Sequence, residues 1–165
     1  VPFMVRFPGQ AAPRIEKELL LSSPDIMPTV LGLSGLEQQI PPEVEGRNYA
    51  GRFTRKEQSA PLRDGALYIK NIDGDTEGKV ISYFPKARGI KTHQYTLCLT
   101  IDKKTKGLED VLLFDDQNDP YQMQKLSYQE NKEIITQLCR QMVPLLKEAD
   151  DPWYKEKILN DLIPY

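Results

Sequence analysis

Apolar and polar positions alternate at the start of the chain, where Phe3, Val5 and Phe7 are separated by Met4 and Arg6 and followed by Pro8-Gly9. That period of two predicts a strand closed by a turn, and a second strand is expected over residues 16–21. Ser23 as N-cap, Pro24 at the first helical position and Asp25 in the first turn then open a helix. Ile26, Met27, Val30, Leu31 and Leu33 are expected on its inward side, and Gly35 is a natural stop.

Between residues 37 and 61 the chain turns to Gln, Pro, Glu, Arg and Gly with few apolar positions, which predicts a long surface connection between two substructures. Strand-like segments follow at 66–72, 80–84, 89–101 and 108–114, separated by turn formers, and together they predict a small antiparallel sheet. In the third, Tyr95, Leu97, Leu99 and Ile101 share one face and Thr96, Cys98 and Thr100 the other, with His93 on the apolar side near the strand's start. Ser127 and Glu130 have capping-box spacing, and Ile134, Leu138, Met142, Leu145 and Ala149 recur at helical spacing after them. Pro144 is expected to kink this helix, Asp151-Pro152 to interrupt it, and residues 153–163 to form a short terminal helix. The order of elements predicts an α+β fold: a strand and helix first, then an antiparallel sheet packed by a long C-terminal helix.

Composition narrows the function. The 165 residues carry 22 Lys and Arg against 24 Asp and Glu, so the surplus of positive charge that nucleic acids and anionic membranes attract is missing. No apolar run approaches the roughly 20 residues of a membrane span. Cys98 and Cys139 lie too far apart for metal-ligand spacing and read as small buried hydrophobes, and one histidine cannot complete a zinc site with them. The sequence opens at Val1 without a methionine or a signal-peptide core, as expected of a piece of a longer chain.

Phosphate-binding glycine loops, HExxH and GxSxG are all missing from the sequence. Residues 73–78 (Asp-Gly-Asp-Thr-Glu-Gly) begin like a calcium loop, but the twelfth position is Phe84 where a bidentate carboxylate is required, so a hairpin turn is the favoured reading. Residues 115–119 (Asp-Asp-Gln-Asn-Asp) offer oxygens but are followed by Pro120, and read as a solvated loop after a strand. The lysine run at 103–106 reads as a solvated hairpin tip. Arg88, Lys91 and His93 cluster at the start of one strand, where Arg88 reads as a structural ion-pair partner and His93 as a partly buried strand residue.

Four segments, in order along the chain, resemble the C-terminal portion of the formylglycine-dependent sulfatases of the alkaline-phosphatase-like superfamily. VPFMVRFPG at residues 1–9 is similar to that family's VP-apolar-apolar-R-[YF]-PG strand, and DIMPTVL at 25–31 with LSG at 33–35 is similar to its D-[IL]-MPT-LL-LAG helix. RGIKT at 88–92 with Tyr95-Thr96 resembles RG-[IV]-RT-RYTY, and LFD at 113–115 with NDPYQM at 118–123 and Leu126 resembles LYD-NDPYQ-NL. Lys91 stands where the family usually has arginine, Phe114 where it has tyrosine and Lys125 where it often has asparagine; a lysine does not reproduce a bidentate arginine.

The resemblance implies residues 1–48 as the end of a catalytic α/β domain, 49–64 as a linker and 65–165 as a C-terminal antiparallel subdomain. It implies a parent enzyme that hydrolyses sulfate esters with formylglycine and calcium, and that is periplasmic or secreted. Its partner would be a sulfated small molecule or glycan, and because loops of this subdomain border the substrate pocket in the family, the resemblance makes Arg88, Lys91 and His93 the candidates for contacting its charge, with Arg88 the strongest donor. Neither Cys98 nor Cys139 has the C/S-x-P-S-R setting in which formylglycine is made, so this chain is expected to hold neither nucleophile nor metal and to lack an N-terminal catalytic domain. With no sheet around it, the Phe3 strand is expected to pair with another copy or fold back irregularly. The alternative is a non-catalytic α+β module that binds a glycan or protein.

Overall fold

In a computed structural model of the chain the described residues are 3–54, 59–70, 73–74, 80–82, 87–102 and 104–163. They form two compact units, Val1–Arg63 and Asp64–Tyr165. No helix among the described residues is long and apolar enough to cross a membrane.

The second unit is α+β. Strands β1 (Ala66–Lys70), β4 (Ala87–Lys91), β5 (Tyr95–Ile101) and β6 (Leu108–Asp115) make one antiparallel sheet in the order β1-β4-β5-β6, and β2 (Asp73–Gly74) and β3 (Val80–Ser82) pair separately. The alternation in β5 works as the sequence implies: Leu97 lies between Ile90 and Leu113, and Leu99 between Arg88 and Val111. Helix α3 (Lys132–Glu148) contributes Ile135, Leu138, Cys139, Met142 and Leu146 to the same core. Each fully buried aliphatic side chain there is worth about 1.5–3 kcal/mol.

Several expectations are corrected. Residues 89–101 are not one strand, because the chain reverses at His93-Gln94. The Thr92 hydroxyl accepts from the Tyr95 amide at 2.8 Å and donates to its carbonyl at 3.1 Å, making with a side chain the turn that no glycine or proline announces. His93 is therefore an exposed turn residue and not a residue of the apolar strand face. Ser127 does not cap α3, whose N-cap is Asn131; the Asn131 side-chain amide donates to the Ser127 carbonyl at 2.8 Å. Leu138 and Met142 are buried as expected, but Ile135, Cys139 and Leu146 complete the stripe and leave Ile134 and Leu145 at its edge, and Pro144 lies within α3. After α3, Asp151 caps the short α4 (Pro152–Lys155) by accepting from the Trp153 amide at 2.9 Å, and a 3-10 segment, Ile158–Leu162, follows in place of one terminal helix. Asp102 shapes the β5–β6 hairpin tip by accepting from the amides of Lys104 and Thr105. Residues 75–78 of the calcium-like stretch and Phe84 lie outside the described residues.

The first unit is organised around Asp25, which is 0% exposed. One carboxylate oxygen accepts from the Ser22 amide and hydroxyl at 2.8 and 2.9 Å, the other from the Arg47 amide and the Arg63 guanidinium, both at 2.7 Å. Ser22, not Ser23, is thus the capping residue of the 3-10 turn Ser23–Asp25 that leads into α1 (Ile26–Leu33). A side chain at Gly46 would collide with the Pro24 carbonyl, so only glycine lets Arg47 come this close. Thr29 extends the contact by accepting from the amide of the fully buried Tyr49 at 3.0 Å. The buried side of α1 is accordingly Asp25, Pro28 and Thr29, while Ile26, Met27 and Val30 are 40, 44 and 47% exposed, opposite to expectation. Residues 3–7 and 16–21 form no strand, since no hydrogen-bonding neighbour lies beside them among the described residues. Phe3 packs edge-on against Phe53 near the end of α2 (Ala50–Thr54), which lies within the expected connection.

Candidate anion-binding turn and its neighbours

The β4–β5 turn places two of the three candidates at one end of the sheet and the third inside it. Arg88 is 1% exposed and faces α3 and α4 rather than solvent. Its Nε donates to Asp151 at 2.8 Å, its Nη1 to the carbonyls of Ala87 and Lys70 at 2.8 and 3.3 Å, and the guanidinium lies 5.9 Å from the Trp153 ring centroid. Removing such a pair's partner leaves a buried charge uncompensated, so Arg88 and Asp151 together tie the sheet to the C-terminal helices.

Lys91 ends β4 on the opposite face. Its ammonium is 2.6 Å from Asp116, with the lysine side chain 42% and the aspartate 10% exposed. Thr96 donates to the same carboxylate oxygen at 2.7 Å, and Gln122 donates to the other at 2.7 Å and to the Thr96 hydroxyl at 3.0 Å. Burial pushes the Asp116 carboxyl up, but the hydrogen bonds from Lys91, Gln122 and Thr96 outweigh it and hold the group below the ordinary carboxylate range. Lys91 keeps two donor directions for a further anion. His93 stands exposed at the turn, and the Gln94 carbonyl accepts from the Asp116 amide at 2.7 Å, fastening turn to loop.

Sequence reasoning missed Thr96, Asp116 and Gln122 as one group. The loop after β6 is more tightly built than a solvated loop: Asp115 accepts from the Asn118 amide side chain at 2.9 Å, and Asp119 from the Gln124 backbone at 2.7 Å. Its oxygens are thus directed at protein donors. Among the described residues no group of three His, Cys, Asp or Glu side chains is arranged to hold a metal ion. The residues present do not fit the calcium of the sulfatase resemblance. Burial pushes the Cys139 thiol up to about 12 and raises Cys98 as well, away from thiolate reactivity.

Residues 1–148 match the family described as N-sulphoglucosamine sulphohydrolase, C-terminal. The chain belongs to this sulfatase C-terminal family. It is 59% identical, over 100% of its length, to an endo-4-O-sulfatase of Bacteroides thetaiotaomicron, and 31% identical over 76% of its length to an ulvan-active sulfatase of Formosa agariphila. It also superposes with a TM-score of 0.83 and 57% identity on a structure solved in connection with the metabolism of multiple glycosaminoglycans by B. thetaiotaomicron, covering 97% of this chain and 33% of that one. This sulfatase region spans 33 and 22% of the lengths of the two curated relatives. Its α+β fold and its place in the sulfatases therefore agree with the reading from four short motifs.

Proposed function

We propose that the chain is the C-terminal part of an enzyme that hydrolyses sulfate esters of a glycan, and that its β4–β5 turn borders the substrate pocket. Identity of 59% along the whole chain to an endo-4-O-sulfatase carries this reading. Hydrolysis at sulfur needs an activated nucleophile and fixed positive charge around the sulfate oxygens. The formylglycine and metal that the resemblance implies belong, in this reading, to polypeptide outside these residues. This chain supplies Lys91 and His93 at the rim, where an ammonium and an imidazole meet the acidic groups of the sugar. Arg88 contributes by fixing β4, on which Lys91 sits. The periplasmic or secreted location is part of the same proposal.

The test is the full-length open reading frame, expressed and assayed on sulfated oligosaccharides. A C/S-x-P-S-R segment upstream of Val1, turnover, and a several-fold rise in KM for Lys91→Ala at nearly constant kcat are expected. Full-length protein that binds glycan without releasing sulfate establishes the alternative binding module instead.

A further inference from the structure

Beyond the rim residues, the loop after β6 carries two side chains that the fold does not use. Tyr121 is 85% exposed and Met123 81% exposed, and they flank Gln122, whose side chain is fixed by Asp116 and Thr96. Gln122 has φ of +53°, a left-handed conformation that a non-glycine residue adopts only when its surroundings impose it. The surroundings are specific: the Gln122 amide donates to the Asp119 carbonyl at 3.0 Å, Asp119 accepts from Gln124, and the Leu126 amide returns to the Leu113 carbonyl of β6 at 2.8 Å. A loop braced at this many points holds out an aromatic ring and a thioether that touch no other aromatic ring among the described residues. Gln122, the residue between the exposed pair, and Lys91 hold the two oxygens of the same Asp116 carboxylate, which ties this loop to a cation.

We propose that Tyr121 and Met123 form a platform on which a sugar ring of the acidic glycan stacks while Lys91 pairs with its sulfate or carboxylate. This rests on the rim reading above. The apolar face of a pyranose suits an amphipathic ring pre-positioned at low entropic cost, and the adjacent ammonium selects an anionic sugar over a neutral one. Met123 adapts its shape to the sugar.

The full-length protein, with the nucleophile position of its C/S-x-P-S-R segment changed to alanine so that no sulfate is released, is titrated with a 4-O-sulfated glycosaminoglycan hexasaccharide and with its desulfated counterpart by calorimetry. Tyr121→Ala is expected to weaken binding about 3- to 10-fold and Tyr121→Phe to retain it within about twofold, the range of an aromatic contact. Lys91→Ala is expected to abolish the preference for the sulfated sugar. Weakening by Lys91→Ala with no effect of Tyr121→Ala overturns the platform and leaves the rim. The reverse pattern overturns the rim and leaves the platform. No binding of either sugar overturns both. An unchanged calorimetric melt shows that each variant is folded.

Discussion

Replacing Asp151 tests whether the Arg88 pair holds the second unit together. The Arg88 Nε to Asp151 distance is 2.8 Å and the two side chains are 1 and 5% exposed, so deletion of the carboxylate leaves a guanidinium charge with no counter-ion and almost no water. Breaking buried pairs of this kind costs about 3–5 kcal/mol. Asp151→Ala also removes the cap that accepts from the Trp153 amide, adding about 1 kcal/mol. Asp151→Asn retains a side-chain oxygen for the cap and is expected to cost about 3 kcal/mol, the alanine variant about 4–6 kcal/mol. Against a total of about 5–15 kcal/mol for a domain, the alanine variant is close to unfolding. Trp153 is the one tryptophan of the chain and lies against Arg88, so its fluorescence reports this unit selectively during urea or thermal unfolding. The asparagine variant should melt at least about 10 °C lower. The Arg88→Met/Asp151→Leu double variant should recover most of the loss, because apolar replacement of both partners removes the unpaired charge. A loss below about 1 kcal/mol for Asp151→Asn would refute the interior role assigned to Arg88.

Asp116 titrates below its unfolded range, so its contribution to stability is complete above the unfolded carboxylate value of about 4 and is lost as pH falls through the lower folded value. Acid unfolding followed from pH 5 to 2 should therefore be shallower in Asp116→Asn; identical profiles contradict the Lys91–Gln122–Thr96 cage. Iodoacetamide at pH 8 with mass spectrometry should leave native Cys139 unmodified and label Cys98 only slowly, whereas both react in urea. Rapid native labelling of Cys139 would show that α3 does not seal the core. The exposed Ile26, Met27 and Val30 should make the isolated chain self-associate, so sedimentation is expected to depend on concentration and to lose that dependence in Val30→Asp. A concentration-independent monomer counts against this.

What the sequence made legible follows from the range over which each signal acts. Leu97, Leu99 and Ile101 announce a half-buried strand because alternation is local, and the spacing of Leu138 and Met142 announces a helix for the same reason. The reversal at His93-Gln94 was hidden because Thr92, an ordinary strand residue, makes the turn with its hydroxyl. The Asp116 group was hidden because Lys91, Thr96 and Gln122 meet only after β5 and β6 pair. On α1 the apolar spacing pointed inward, yet Asp25 and Thr29 bind the 47–49 backbone and turn Ile26, Met27 and Val30 out, while Leu31 and Leu33 stay half-buried. A buried aspartate with four donors outweighs an apolar stripe that none of the described residues covers. Arg88 shows the converse: sequence placed it beside Lys91 and His93, but the pleat sends it to the other face of the sheet.

If, as proposed, the formylglycine and metal lie on other polypeptide, this chain shapes a sulfatase without carrying out its chemistry. The direct measurement is an assay of the purified 165-residue chain with an activated aryl sulfate and added calcium. The rate should equal that of buffer, since none of the described residues combines an activated nucleophile with fixed charge around the sulfate. Metal-dependent turnover that survives removal of contaminating enzyme, and that is lost on mutating a residue of this chain, would contradict it.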